Sequence, residues 1–153
     1  MKKLVILSDT HGRKSAIEKI KTVMDESDFV IHLGDYQRDI APYALQNKGK
    51  VLSVAGNCDG GGDDLVTEID GVKILLTHGD RYGVKSGLIR LLYKAKEIGV
   101  NAVFFGHTHR PIIEEIDGIT FINPGNTTVF SEKTYCYAVI YDKKITAKIV
   151  VIE

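Results

Sequence analysis

The sequence near the N-terminus reads Leu4-Val5-Ile6-Leu7-Ser8-Asp9-Thr10-His11, an apolar run that changes abruptly into a polar cluster. Five such polar clusters occur along the chain, and four of them directly follow a short apolar run. Because an open α/β sheet gathers its binding loops at the carboxyl ends of its strands, we expect the clusters to meet at one crevice. The clusters are Asp9-Thr10-His11, Gly34-Asp35, Gly56-Asn57-Cys58-Asp59, Thr77-His78-Gly79 and Gly106-His107-Thr108-His109.

Of the side chains in these clusters, two Asp, one Asn and four His are expected to face each other. This mixture of oxygen and imidazole donors suits Mn, Fe, Zn, Ni or Co better than Ca or Mg, which prefer oxygen alone. A single His or Asp after a strand is usually a turn former, but four of the five histidines fall inside the clusters. The set therefore predicts a two-metal hydrolytic centre. His32 lies outside it, within residues 29–33, and is interpreted as a strand residue with a satisfied ring.

Composition narrows the class of protein. The chain has 153 residues, with 20 Lys plus Arg and 20 Asp plus Glu, so no net positive field attracts a nucleic-acid polymer. The first apolar run ends after four residues, too soon for a signal peptide, and no run reaches the roughly 20 residues that span a bilayer. Two cysteines are too few for a disulfide framework. We expect one domain over residues 1–153, cytoplasmic, with no membrane partner; a homo-oligomer stays open.

Hydrophobic periodicity predicts the order of elements. Strands are expected at 3–8, 28–33 and 50–55, with helices at 15–24 and 40–45 between them, a βαβαβ unit that favours a parallel sheet. A Gly-rich stretch at 60–64 is interpreted as a mobile loop beside the site. The remainder is richer in strands, predicted at 65–69, 72–77, 101–105, 112–116, 119–122, 135–141 and 145–152, with a helix at 86–98. The predicted fold class is α/β, a four-layer αββα sandwich of two mixed β-sheets flanked by helices.

The ordered series Asp-x-His, Gly-Asp, Gly-Asn-x-Asp, His-Gly and Gly-His-x-His resembles the calcineurin-like metallophosphoesterases. Chain length, the lack of insertions and Cys58 make the chain most similar to the small, cap-less bacterial and archaeal phosphodiesterases. The resemblance implies two divalent transition metal ions, Mn first, with Ni, Co, Zn or Fe as alternatives. It implies hydrolysis of a small phosphodiester by in-line attack of a metal-bound hydroxide.

The resemblance also assigns roles to residues. One ion would take Asp9, His11 and His109, the other would take Asn57, His78 and His107, and Asp35 would bridge them. A carboxylate between two close cations offsets their repulsion, which agrees with that bridging role. The catalytic residues implied are Asp35, Asn57, Cys58 and His107.

Three positions depart from the family pattern. Cys58 stands where many members carry His, and a neutral thiol is a poor proton donor, so it either assists the leaving group weakly or only fills space. Asp80 and Asn126 replace the usual His and Ser, which leaves the metal ligands intact but makes the substrate uncertain. Lys85, Arg81 and Arg110 are expected near the phosphate. Two alternatives stay open: hydrolysis of phosphomonoesters or phosphoproteins on the same metals, and a non-catalytic scaffold like the retromer subunit that shares this fold.

Overall fold

The computed structural model describes residues 1–128 and 130–153. Its helices are α1 Lys14–Lys19, α2 Lys21–Glu26, α3 Ala41–Gln46 and α4 Ile89–Ile98. Its strands are β1 Lys2–Leu7, β2 Phe29–His32, β3 Val51–Ser53, β4 Leu65–Ile69, β5 Val72–Leu76, β6 Ala102–Phe104, β7 Ile112–Ile116, β8 Ile119–Asn123, β9 Thr134–Tyr141 and β10 Lys144–Val151.

The strands form two mixed sheets of five strands each. The first has the order β10-β9-β1-β2-β3, in which β1, β2 and β3 run parallel and β9 and β10 are antiparallel. The second has the order β4-β5-β6-β8-β7, in which β5, β6 and β8 run parallel and the edge strands β4 and β7 pair antiparallel with β5 and β8. The βαβαβ prediction is therefore confirmed, and the strand-rich half of the chain builds most of the second sheet.

The two sheets pack face to face over the main apolar core. Leu4 and Ile6 from β1 belong to the same buried cluster as Ile74 and Phe104 from the other sheet. Side chains alternate along a strand, so Val5 points to the opposite face, where it packs against α1, α2 and α3. Helix α4 covers the outer face of the second sheet. Both faces of the central strands are buried, which explains their unbroken apolar runs, and the predicted αββα sandwich is confirmed.

Several element boundaries differ from the predictions. The helix expected at 15–24 is two short helices that meet at Ile20, where φ is −104° and ψ is 10°. The helix expected at 86–98 begins only at Ile89, since Gly87 has a φ of 136° that a helix cannot contain. The third strand is three residues long. The spacing of apolar residues does not reveal such breaks in a helix, because a turn can keep the same side of the chain packed against the sheet.

Residues 60–64 form an irregular loop, as predicted, and hydrogen bonds hold its last residue, Asp64, in place. The Asp64 carboxylate accepts hydrogen bonds from Thr77 Oγ1 at 2.8 Å, Arg81 Nη2 at 2.9 Å and Tyr82 Oη at 2.7 Å. The mobility of this loop stays a prediction. Within the described ranges, no helix has the length and apolar character needed to cross a membrane.

Candidate metal centre

Four strands from the two sheets end at the same place. Asp9 follows β1, Asp35 follows β2, His78 follows β5, and His107 and His109 follow β6. Hydrogen bonds join these loops: Asp9 N donates to Gly34 O at 2.9 Å, Gly106 N donates to His78 O at 3.0 Å, and His107 N donates to Asp9 Oδ2 at 3.0 Å. The last bond crosses from one sheet to the other, so the carboxyl ends of both sheets share one crevice.

The side chains there form two groups that share Asp35. Potential ligand atoms of Asp9, His11, Asp35 and His109 all lie within 4.8 Å of one another, and so do those of Asp35, His78 and His107. Asp35 Oδ2 is 3.6 Å from His11 Nε2 and 3.4 Å from His78 Nε2, so one carboxylate oxygen faces both groups. Asp9 Oδ1 is 3.2 Å from His109 Nε2. Six of the seven predicted ligands are thereby brought together in a cluster able to hold metal.

Each carboxylate has one oxygen held by the protein and one facing the centre. Asp9 Oδ2 accepts hydrogen bonds from Ser8 Oγ at 2.6 Å and from His107 N. Asp35 Oδ1 accepts from Cys58 N at 2.9 Å. The opposite oxygens, Asp9 Oδ1 and Asp35 Oδ2, are those that approach the histidines. This arrangement fixes both carboxylates in place before any ion binds.

The donor set fits a cation. Among the described residues, Asp9 Oδ1 and His11 Nε2 are buried with no hydrogen-bond partner. A buried polar atom without a partner costs roughly 1–3 kcal/mol, more when charged, so such atoms need an explanation. Asp9 Oδ1 and His11 Nε2 lie 3.7 Å apart, and a metal ion bound between them would coordinate both atoms.

Both carboxylates are ionised and ready to bind a cation. Burial alone would raise the pKa of Asp9, but the facing imidazoles of His109 and His11 and the hydrogen bond from Ser8 outweigh it, and the pKa falls well below its usual range. Burial likewise opposes ionisation of Asp35, yet its bond with His78 and the Cys58 N–H lower the pKa. Near neutral pH the centre therefore presents two negative charges.

The histidine tautomers also favour ligation. His78 Nδ1 donates to Leu33 O at 2.7 Å, which leaves the Nε2 lone pair facing the centre. His107 Nδ1 lies 3.2 Å from that Nε2. Burial lowers the pKa of His107, and the neighbouring His78 and Lys85 lower it further, so this ring is neutral near pH 7 and available as a ligand.

The backbone at the centre is held in an unfavourable conformation. Positive φ angles of 54° at Asp9, 46° at His11, 61° at Asp35, 69° at His107 and 64° at His109 place these five residues in the left-handed region. Non-glycine residues reach it at a cost of order 1 kcal/mol or more each, and such strain clusters at functional sites. The sharp turns aim side chains from different loops at one point.

Three supporting residues were not assigned from sequence. Asp59 Oδ2 accepts from Asp35 N at 2.8 Å and Gly56 N at 2.9 Å, and so fixes the bridging turn. Asp39 Oδ2 accepts from Thr10 Oγ1 at 2.7 Å and Gly12 N at 2.8 Å. Asn126 Nδ2 donates to His109 O at 2.8 Å. Asp59 lies inside a cluster and Asn126 departs from the family pattern, but nothing in the sequence marked Asp39, whose bonds join residues 27 and 29 positions apart.

Asn57 and Cys58 have the weakest structural support among the predicted site residues. Both are exposed, and Asn57 Nδ2 lies 3.9 Å from Cys58 Sγ. Partial burial and the neighbouring Asp35 raise the pKa of the Cys58 thiol, which stays protonated at neutral pH. The contact of Cys58 with Asp35 is made by its backbone N–H, which any residue except proline supplies. Ligation by Asn57 and catalysis by Cys58 stay predictions.

His32 is a core residue, as its sequence context predicted. Its side chain is fully buried, Nδ1 accepts from Gly34 N at 3.1 Å, and Nε2 donates to Thr10 Oγ1 at 3.0 Å. Thr10 in turn donates to Asp39, so His32 supports the loop between Asp9 and His11 without facing the centre. Burial lowers the pKa of His32 from 6.5 to about 4.

The buried His32 should make stability depend on pH. Between pH 6.5 and 4 the unfolded chain binds a proton at this position and the folded chain does not, so stability present above pH 6.5 is lost as the pH falls. We expect the free-energy difference between the wild type and His32→Gln to shrink by about 2 kcal/mol from about pH 7 to about pH 4.5. Urea unfolding of both proteins with chelator present measures this. A constant difference would mean that the ring is protonated inside the fold.

A family model identifies the chain. Residues 1–144 match the calcineurin-like phosphoesterase superfamily domain. "Phosphodiesterase MJ0936" of Methanocaldococcus jannaschii is 32% identical over 148 residues, covering 80% of this chain and 82% of the relative. The chain therefore belongs to the calcineurin-like phosphoesterase superfamily, as its motifs predicted. It is a phosphoesterase, a hydrolase of a family that uses divalent metals.

Solved structures share the fold. A conserved protein of Streptococcus pneumoniae TIGR4, described as a predicted phosphoesterase, superposes with a TM-score of 0.83 at 27% identity, covering 98% of this chain and 89% of that one. Vacuolar protein sorting 29 from Cryptosporidium parvum has a TM-score of 0.76 at 16% identity, covering 98% of this chain and 97% of that one. The second likeness shows the fold alone.

Proposed function

We propose that the chain is a binuclear metal-dependent phosphodiesterase that hydrolyses small phosphodiesters. The observation that carries the proposal is the pair of ligand groups that share Asp35, each with its potential ligand atoms within 4.8 Å of one another. Two ions about 3.5–4 Å apart need an anionic ligand between them, and Asp35 Oδ2 faces both groups. A relative described as a phosphodiesterase supports the choice of diesters.

The candidate ligands would form two metal-binding positions. Asp9, His11 and His109 would hold one ion, and His78, His107 and Asn57 the other. When bound, the two divalent ions would lower the pKa of a coordinated water and neutralise phosphate oxygens, as in-line displacement at phosphorus requires. Carboxylate ligands suit Mn and imidazole ligands suit Zn, Fe or Ni. We propose Mn first, as the family resemblance implies, with Ni, Co, Zn or Fe as alternatives.

The basic residues near the centre differ in their availability to substrate. Arg81 is engaged by Asp64 at 2.9 Å and by Gly62 O at 3.0 Å. Arg110 is exposed and lines the cavities beside the centre. We therefore assign Arg110, and not Arg81, to the phosphate oxygens, where a guanidinium can bind two of them at once.

A metal and substrate panel tests the proposal. Metal-free protein reconstituted with Mn, Ni, Co, Zn or Mg should bind two equivalents of the transition metals. This stoichiometry should depend on Asp35. Activity should be greater on aryl diesters than on the matching monoesters, and chelator should abolish both. Monoesters reacting faster would favour the phosphomonoesterase alternative. Fewer than two bound ions, with no hydrolysis of either substrate, would favour the scaffold alternative.

The proposed partner is a small diester and not a nucleic-acid polymer. Lysine plus arginine and aspartate plus glutamate are equal in number, 20 each, so long-range attraction to a polyanion is absent. A cytoplasmic location, a single domain and the oligomeric state stay predictions.

A further inference from the structure

A large cavity lies directly beside the metal centre and has no role in holding metal. It has a volume of about 720 Å³ and is enclosed by the segment 84–88 on one side and by β7 on the other. Thr108 and Arg110 line it, and both also line a second cavity of about 590 Å³ that contains His11 and His109. The loop that carries two candidate ligands therefore forms a ridge between the two cavities.

The cavity combines an apolar floor with a charged rim. Leu88, Phe105, Ile112 and Ile116 provide the apolar surface, and Lys85, Arg110 and Glu114 provide the charges. Arg110 also lines the cavity that contains His11 and His109, so its charge lies toward the centre, whereas Leu88, Ile112 and Ile116 line only the larger cavity.

Strand geometry shows which residues of β7 face this cavity. Ile112, Glu114 and Ile116 line it, whereas Glu115 lines a separate cavity together with Lys143 and Lys144. Side chains alternate between the two faces of a strand, so Ile113 points away, and it is 41% exposed. Strand β7 therefore carries three isoleucines, of which Ile112 and Ile116 line the cavity and Ile113 does not.

We propose that this cavity is a substrate subsite that binds a planar aromatic ring carried by one ester substituent of the phosphate. This rests on the proposed function, because the phosphate is taken to bind at the centre. The floor residues are aliphatic or aromatic, and a ring of this kind buries its faces on them. The volume exceeds that of a single ring and accommodates a nucleobase as well as a phenyl group. Small alkyl substituents would leave the floor in contact with water.

Matched phosphonates test the subsite without a reaction. In alkaline buffer phenylphosphonate and methylphosphonate are both dianions, so they differ in the ring that replaces the methyl group and not in charge. Calorimetric titration into Mn-loaded wild type should give a dissociation constant about tenfold lower for phenylphosphonate, since burying a ring contributes roughly 1.5 kcal/mol or more. Ile116→Asn should bring the ratio of the two constants close to one. Ile113→Asn, the control on the same strand, should keep it.

A second variant covers the case in which Ile116→Asn fails to fold. Ser86 is exposed at the cavity wall, so Ser86→Trp would fill the space without disturbing the core. It should abolish the preference for the ring while leaving the affinity for methylphosphonate unchanged. Adenosine 5′-phosphate compared with ribose 5-phosphate asks the same question of a nucleobase, and a preference in either pair supports the subsite.

Equal affinities in both pairs for the wild type, or an equal loss in Ile113→Asn and Ile116→Asn, would overturn the proposal. This outcome is separable from failure of the proposed function. Hydrolysis of methyl p-nitrophenyl phosphate by the wild type would uphold the phosphodiesterase activity even if no ring preference existed. Ring-dependent binding without hydrolysis of any diester would uphold the subsite and overturn the activity.

Discussion

Asp35→Asn is expected to lower phosphodiester hydrolysis by more than about 100-fold, the upper range seen when residues that only support a metal ligand are changed. The substitution keeps the shape of the side chain and removes its negative charge. Asp35 Oδ2 faces His11 on one side and His78 on the other, so both ligand groups lose their shared anion. Bound metal, measured by atomic emission on the dialysed protein, should fall from two ions per chain to one or none.

The matched control is Asp63→Asn, which makes the same change of charge on an exposed loop residue outside the centre. It should keep metal content and activity near those of the wild type. If Asp35→Asn retained two ions and most of its activity, the shared carboxylate would not be a bridge.

Gly106→Ala is the second substitution expected to have a large effect. A Cβ at Gly106 would overlap Ser8 Oγ and lie 2.7 Å from Asp9 Oδ2. The backbone of Gly106 is fixed by its bond to His78 O, so Asp9 has to move. We expect metal affinity and turnover to fall on the order of 100-fold, as a displacement near 1 Å at a catalytic centre typically causes. Metal titration and diester kinetics measure both.

A double mutant separates this clash from general damage to the fold. Ser8→Ala removes the nearest atom in conflict, so Ser8→Ala/Gly106→Ala should recover part of the metal affinity that Gly106→Ala loses. Additive losses in the two substitutions would show that crowding of Ser8 and Asp9 is not the cause.

The convergence of the candidate ligands could be predicted from sequence because its signals are local. Each apolar run followed by a polar cluster marks the end of a buried strand, and parallel strands in one sheet must end at the same edge. Asp9 with Asp35, and His78 with His107, could therefore each be placed together from sequence, whereas the meeting of the two pairs depends on how the two sheets pack. The shared position of Asp35 came from family resemblance, and the two ligand groups agree with it.

The parts that could not be predicted depend on contacts between distant residues. Asp59 reaches Asp35 N across 24 positions, and Asp39 reaches Gly12 N across 27. An acidic residue that binds a backbone N–H looks the same in sequence as one that faces water. The break at Ile20 was missed for a different reason: apolar spacing is preserved through it, and no glycine or proline marks the end of α1.

The hydrogen bond from His107 N to Asp9 Oδ2 joins residues 98 positions apart. It lies in a crevice to which both sheets contribute residues. With ions bound as proposed, the centre would act as a removable cross-link between the sheets at one end of the sandwich. Stability would then follow metal supply: a free concentration 100 times the dissociation constant adds about 2.7 kcal/mol for each site. Metal depletion would weaken the contact between the two sheets at the catalytic end. The hairpin of β9 and β10 at Asp142 and Lys143 would be affected last.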